Sequence, residues 1–259
     1  MRLTAVLVLL LLAGCHEPRG PVGFGTHLDP VMVFAPETPL LPSWSVSAPP
    51  GGEAVSLNAS WSFAPGPAVV FAPANTPNRD VLLPGGTISA PVPAWARSGV
   101  GQRLAVVASE LWEWEGYQST RPPAAASMSH PDDDGCTPNG VSFAAGAVWP
   151  DELRGNIPHR VALRTPHELP IGTQVRFDDS VTVGEAGVIP SAQENIISAM
   201  KTYGGIVVEH GELFEILGVH AINYDHSVYD ALWSGGDRSL PNWSSHLFVV
   251  GAICQAAID

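Results

Sequence analysis

The chain is poor in charge, in cysteine and in the signatures of common enzymes. Only 14% of its residues are Asp, Glu, Lys or Arg, and three are cysteine. Scarcity of charged helix-formers beside 26 Gly and 25 Pro disfavours a helical bundle and favours short strands joined by turns. Also missing are a Gly-x-Ser-x-Gly elbow, a phosphate-binding loop, a dinucleotide fingerprint, a His-Glu-x-x-His pair and any Cys-x-x-Cys. These absences lower the weight of the common hydrolase and nucleotide-dependent classes. Nothing in the sequence implies a cofactor. Of the charges present, the acidic ones dominate, giving a formal net charge of −13. That balance argues against nucleic acid as a partner and against electrostatic docking on anionic lipid.

What the chain does have begins at its N-terminus. Arg2 precedes Leu3 to Leu12, which is apolar except for Thr4. A membrane-spanning helix needs about 20 apolar residues, so this run is too short to cross a bilayer. It fits the apolar region of a signal peptide, with small residues before the cut. The segment Leu12-Ala13-Gly14-Cys15 resembles the lipobox of bacterial lipoproteins. The resemblance implies that residues 1–14 are a signal peptide and that Cys15 receives a diacylglyceryl group and becomes the new N-terminus. Association with the membrane would then come through that lipid. Residue 16 is His rather than Asp, which the sorting rule of enteric bacteria links to an outer-membrane or cell-surface location. Residues 15–30 read as a flexible tether rich in breakers, and 31–259 as a single mainly β domain.

With Cys15 acylated, Cys136 and Cys254 remain in an oxidising compartment. Two leftover thiols there most simply form one disulfide; two buried free thiols are the alternative. Such a bridge would close a loop on the order of a hundred residues, for which chain entropy assigns about 4 to 5 kcal/mol.

The predicted fold is mainly β, sandwich-like or jelly-roll, with one prominent helix near 191–203. Strand candidates are 69–71, 81–83, 104–108, 161–164, 174–177 and 181–183, with polar–apolar alternation over 56–63. In Glu110-Leu111-Trp112-Glu113-Trp114-Glu115, a strand places Trp112 with Trp114 and Leu111 with Glu113. Residues 119–140 read as a long loop. Ser191 and Glu194 have the spacing of a capping box, Ile196, Ile197, Met200 and Tyr203 recur at helical spacing, and Gly204 is placed to end the helix. Residues 206–209 and 213–217 around His210-Gly211 predict a hairpin, and a further short helix is expected near 228–233.

Three blocks carry a second resemblance: Gly155-Asn156-Ile157-Pro158-His159, Pro170-Ile171-Gly172 followed by an Arg-containing strand, and Ala199-Met200-Lys201-Thr202-Tyr203-Gly204. In order and spacing, the chain from about residue 100 onward is similar to an uncharacterised family of secreted bacterial proteins. Where those proteins usually carry Ala-Asp-Asn-Gly, this chain has Val208-Glu209-His210-Gly211. The resemblance implies an extracellular, polysaccharide-rich setting and no particular activity.

Several residues are of types that carry chemistry. His159, at the start of a strand, is a candidate general acid or base, or alternatively a histidine that holds a neighbouring loop in place. Glu209 and His210 at the expected hairpin tip, with Glu212 and Glu215 nearby, would supply carboxylates for acid–base work, or simply form a solvated turn. His220, Asn223, Asp225 and His226 form the densest polar cluster, without the spacing of a metal motif. Asp132-Asp133-Asp134 lacks the alternating spacing of a calcium loop. Trp112 and Trp114 would form a sugar-stacking platform if exposed and part of the core if buried.

The expectation is therefore a cell-envelope lipoprotein with a non-catalytic binding or structural role, its ligand a glycan or another envelope component. The alternative is a carbohydrate-active hydrolase or lyase using His159 with Glu209, Glu212 or Asp225.

Overall fold

The structure, a computed structural model, describes residues 39–223, 232 and 236–254. Residues 1–14 expected as a signal peptide, Cys15, the whole expected tether of 15–30, the polar pair Asp225 and His226, and most of the short helix expected near 228–233 lie outside the described residues.

Strands dominate. The first five are β1 (Glu53–Ala54), β2 (Trp61–Pro65), β3 (Ala68–Phe71), β4 (Arg79–Leu83) and β5 (Gly86–Ala90). The next five are β6 (Leu104–Val107), β7 (Leu111–Glu115), β8 (Ser127–Ser129), β9 (Cys136–Thr137) and β10 (Gly140–Val141). A short helix, α1 (Pro150–Arg154), leads to β11 (Val161–Thr165) and β12 (Thr173–Phe177). The long helix α2 (Pro190–Thr202) is followed by β13 (Gly205–His210), β14 (Phe214–Gly218), β15 (Ser239–Leu240) and β16 (Leu247–Ala252).

Eight of these strands form one mixed sheet in the order β1-β16-β12-β13-β11-β14-β2-β15. Its central strands are apolar on both faces, and both faces are covered. Val161 and Leu163 of β11 and Val207 of β13 point into a core packed against Ile196, Ala199 and Met200 of α2. Their neighbours Ala162, Ile206 and Val208 point the other way, into a cluster with Leu41 and the fully buried Trp44. Strands buried on both sides need continuous apolar runs rather than alternation, and that is how these segments read. A second sheet, β3-β6-β7-β8, has its own core under the β4–β5 hairpin. It joins the large sheet covalently through Gly66 and Pro67, between β2 and β3. Gly66 there donates to the Gly218 carbonyl at 2.7 Å.

The architecture is thus mainly β, as the sequence predicted, and α2 is the one long helix among the described residues. Several details differ. The helix opens with Pro190 at its first position and Ile189 at the cap, with no side-chain cap bond. Ser191 therefore lies inside the helix rather than in a capping box: proline's fixed φ and missing N–H suit the first turn and move the cap two residues earlier, from Ser191 to Ile189. Gly204 does end the helix, at φ +79°, its amide donating to the Ala199 carbonyl. Residues 181–183 are not a strand, and within 119–140 the chain forms β8, β9 and the edge of β10 rather than one long loop.

The largest correction concerns the expected hairpin. β13 and β14 both exist, yet they do not pair with each other. β11 lies between them, parallel to β13 and antiparallel to β14. The two strands are thus second neighbours, about 10 Å apart. The three-residue connection from Gly211 to Leu213 is long enough for that span at about 3.3 Å per residue.

Cys136 and Cys254 are joined by a disulfide, with Cα atoms 5.3 Å apart. It fastens the β9–β10 hairpin to the chain just beyond β16.

Candidate functional site

His159 is almost fully buried, at 3% exposure. Its Nε2 lies 3.1 Å from Glu152 Oε1, and its Nδ1 lies 2.7 Å from the Arg160 carbonyl. Glu152 itself is fixed in the first turn of α1, where its Oε2 accepts the Trp149 amide at 2.8 Å. Each ring nitrogen thus has an oxygen within hydrogen-bond distance. Burial alone pulls the His159 pKa down, but the Glu152 hydrogen bond and charge and the Arg160 carbonyl outweigh it, and the net shift is upward. His159 therefore locks α1 to the entry of β11, with its imidazolium form favoured by Glu152, and it does not reach Glu209.

Glu209 is brought elsewhere. It lies in β13 rather than at a hairpin tip, in register with Arg164 of the adjacent parallel strand β11. The Arg164 guanidinium binds both Glu209 and Glu215, the latter at 2.7 Å. From the other sheet, Arg103 just before β6 also pairs with Glu209, and its Nε lies 3.5 Å from Glu115. The result is a line of alternating charge, Glu115–Arg103–Glu209–Arg164–Glu215, that ties the four-stranded sheet to the eight-stranded one.

A cleft of about 320 Å³ opens along this line. One wall is Arg103, Glu113, Glu115 and Ser129; the facing wall is Val208, Glu209 and His210; the disulfide-fastened β9–β10 hairpin closes the third side with Thr137, Asn139 and Val141. At the mouth, Asn139 is exposed and Glu115 is half-buried. His210 Nε2 is 3.0 Å from the Leu169 carbonyl, and its ring packs 4.3 Å from that of His167.

The least expected group here is Glu113, whose side chain is 1% exposed. Its Oε1 accepts from Ser142 Oγ at 2.6 Å and from the Ala144 amide at 3.0 Å. Burial raises its pKa to about 7, against the opposing effect of these bonds, the Phe143 amide and the Arg103 charge. At neutral pH Glu113 is therefore about half protonated, far more than an ordinary exposed carboxyl. Its sequence signal is the lone Glu between two tryptophans in a strand that pairs on both sides, with β6 and with β8.

The other candidates are dispersed. Trp112 and Trp114 stack at 5.9 Å with nearly parallel rings. Trp114 is fully buried, while Trp112 is partly exposed and lines a separate groove with Asn78, Ser89 and Pro91. The pair does not form an exposed platform: one face of β7 packs under β4–β5, and Trp114 belongs to that core. His220 Nδ1 accepts from the amide of Ile222, two residues on, and the buried Asn223 grips both backbone groups of Arg97. Asp132 Oδ1 accepts the amides of Asp134 and Cys136, a local turn. Glu212 is exposed in the β13–β14 connection. Among the described residues, no group of three His, Cys, Asp or Glu is arranged to hold a metal ion, and no helix is long and apolar enough to cross a membrane.

No family model, curated protein or solved structure matches the chain.

Proposed function

We propose that the protein is exported, anchored to the cell envelope through a lipid on Cys15, and binds a glycan of that envelope in the cleft between its two sheets. The observation that carries the binding reading is the cleft itself. A concave site of about 320 Å³ falls at the lower end of the usual range for small-ligand pockets. It presents hydrogen-bonding groups on every side: the Glu113 and Glu115 carboxyls, the Arg103 guanidinium, the Asn139 amide and the Thr137 hydroxyl. A polyhydroxylated ligand offers matching donors and acceptors. A strongly anionic one would meet Glu115 and Glu209, whose charges Arg103 alone among the lining residues offsets.

Support for the address comes from the lipobox-like Leu12-Ala13-Gly14-Cys15, the apolar run before it and the Cys136–Cys254 disulfide, a bond that persists in oxidising compartments. Metabolic labelling with a palmitate analogue tests it. Label on the wild type and none on Cys15→Ser is the expected result; equal labelling refutes the anchor. An oligosaccharide array probed with the full chain in detergent tests the ligand. Binding lost on Asn139→Ala and Glu115→Ala is expected; binding unchanged in both places the ligand elsewhere.

A further inference from the structure

The cleft holds two carboxyl groups in opposite surroundings. Glu113 is dry and contacted by neutral donors, the Ser142 hydroxyl and the Ala144 amide. Glu209 is paired with two guanidinium groups, Arg103 from one sheet and Arg164 from its own. Burial outweighs these donors and raises the Glu113 pKa to about 7, whereas Glu209 is held in ion pairs from both sheets. A neutral acid and a fixed carboxylate bordering one cleft are the two parts that acetal hydrolysis needs.

Resting on the reading of this cleft as a glycan site, we propose that it hydrolyses glycosidic bonds, with Glu113 as proton donor and Glu209 as the carboxylate that receives a proton from the attacking water. Glu113 Oε1 is engaged by Ser142 and Ala144, so Oε2 carries the proton. That proton passes to the glycosidic oxygen as the bond from the anomeric carbon breaks. Water adds its oxygen to the anomeric carbon and gives one proton to Glu209. Return of that proton through solvent to Glu113 restores both groups, and the net change is one water consumed per bond. Arg103 and Arg164 each engage a Glu209 oxygen, and a carboxylate oxygen keeps a further lone pair for the water. The half-buried Glu115 and the exposed Asn139 at the mouth are placed to bind the sugar rather than to react. Arg103, Glu115, Glu209 and His210 are the charged or titratable groups that border the cleft beside Glu113.

The test incubates the full chain in detergent with a panel of α- and β-linked hexasaccharides and reads both binding and product mass. Expected are fragments whose combined mass exceeds the parent by one water. Their rate of formation drops at least about 100-fold in Glu113→Gln and in Glu209→Gln, while the near-ultraviolet dichroism of Glu113→Gln stays that of the wild type. In the wild type the rate declines above about pH 7, and this alkaline decline is absent from the residual rate of Glu113→Gln. Hexasaccharide bound but left intact overturns hydrolysis and keeps the binding site. Cleavage undiminished in a folded Glu113→Gln overturns the assignment of the acid. Failure to bind any hexasaccharide overturns the binding reading and this one together.

Discussion

Arg164 and Glu209 face each other across the parallel strands β11 and β13, and Arg103 reaches the same carboxylate from the other sheet. One carboxylate thus joins the two sheets, and it does so at the wall of the cleft.

Removing either arginine should have unequal effects. Arg164→Met leaves the part-buried Glu215 without its guanidinium partner and Glu209 with Arg103 alone, whereas Arg103→Met keeps Glu209 and Glu215 on Arg164 and strips only the more exposed Glu115. Arg164 and its two carboxylate partners are all less than a quarter exposed, so breaking those pairs should cost about 2–4 kcal/mol. Arg103→Met should cost less. Urea unfolding of both variants measures the difference, and a larger loss for Arg103→Met would contradict this order.

Glu113 makes stability depend on pH. Its folded pKa of about 7 lies above the ordinary 4.5, so between those values the folded state binds more protons than the unfolded one. Wild-type stability should therefore fall as pH rises through this window. Glu113→Gln keeps an acceptor for Ser142 and Ala144 without the titration. The melting temperature of Glu113→Gln relative to wild type should climb from pH 5 to pH 8, by the equivalent of at most about 3 kcal/mol. A difference that stays flat with pH would mean that Glu113 is not the buried acid described.

His159 acts with the opposite charge. Its raised folded pKa contributes stability that is fully present below the unfolded value and is lost as pH rises through the folded one. His159→Gln should therefore be most damaging near pH 5 to 6, costing about 3–5 kcal/mol as Glu152 is left buried without its cation, and less damaging as the pH rises through the raised folded pKa. Titration of the imidazole ring protons by NMR provides a direct check, with an apparent pKa below that of free histidine as the contrary result.

The disulfide holds the hairpin that forms the third side of the cleft. Cys136→Ser and Cys254→Ser should each lower stability by a similar amount, on the order of 4 kcal/mol, and each should weaken oligosaccharide binding. Markedly unequal losses, or binding untouched by both, would separate the bridge from the cleft.

Much of the local structure was legible in the chain. Ile196, Ile197 and Met200 recur at helical spacing and do face the core, and Gly204 does take the left-handed turn, because both signals depend on neighbours within a few residues. Most of the expected short strands are present for the same reason. The spacing of residues 206–217 predicted a hairpin because turn chemistry registers only adjacent strands, and nothing local announces that β11 inserts between them.

The sequence by itself determined the mainly β class, the position of the long helix and the availability of two cysteines for one bridge. These follow from composition and short-range periodicity. Only the tertiary structure decided which charges do what. It placed His159 with Glu152 and away from Glu209, and it set Arg103 and Arg164 on one carboxylate. It also buried Glu113 among the donors of a loop some 30 residues away. The roles of these groups depend on desolvation and on partners distant in the chain, and both exist only once the two sheets have closed on each other.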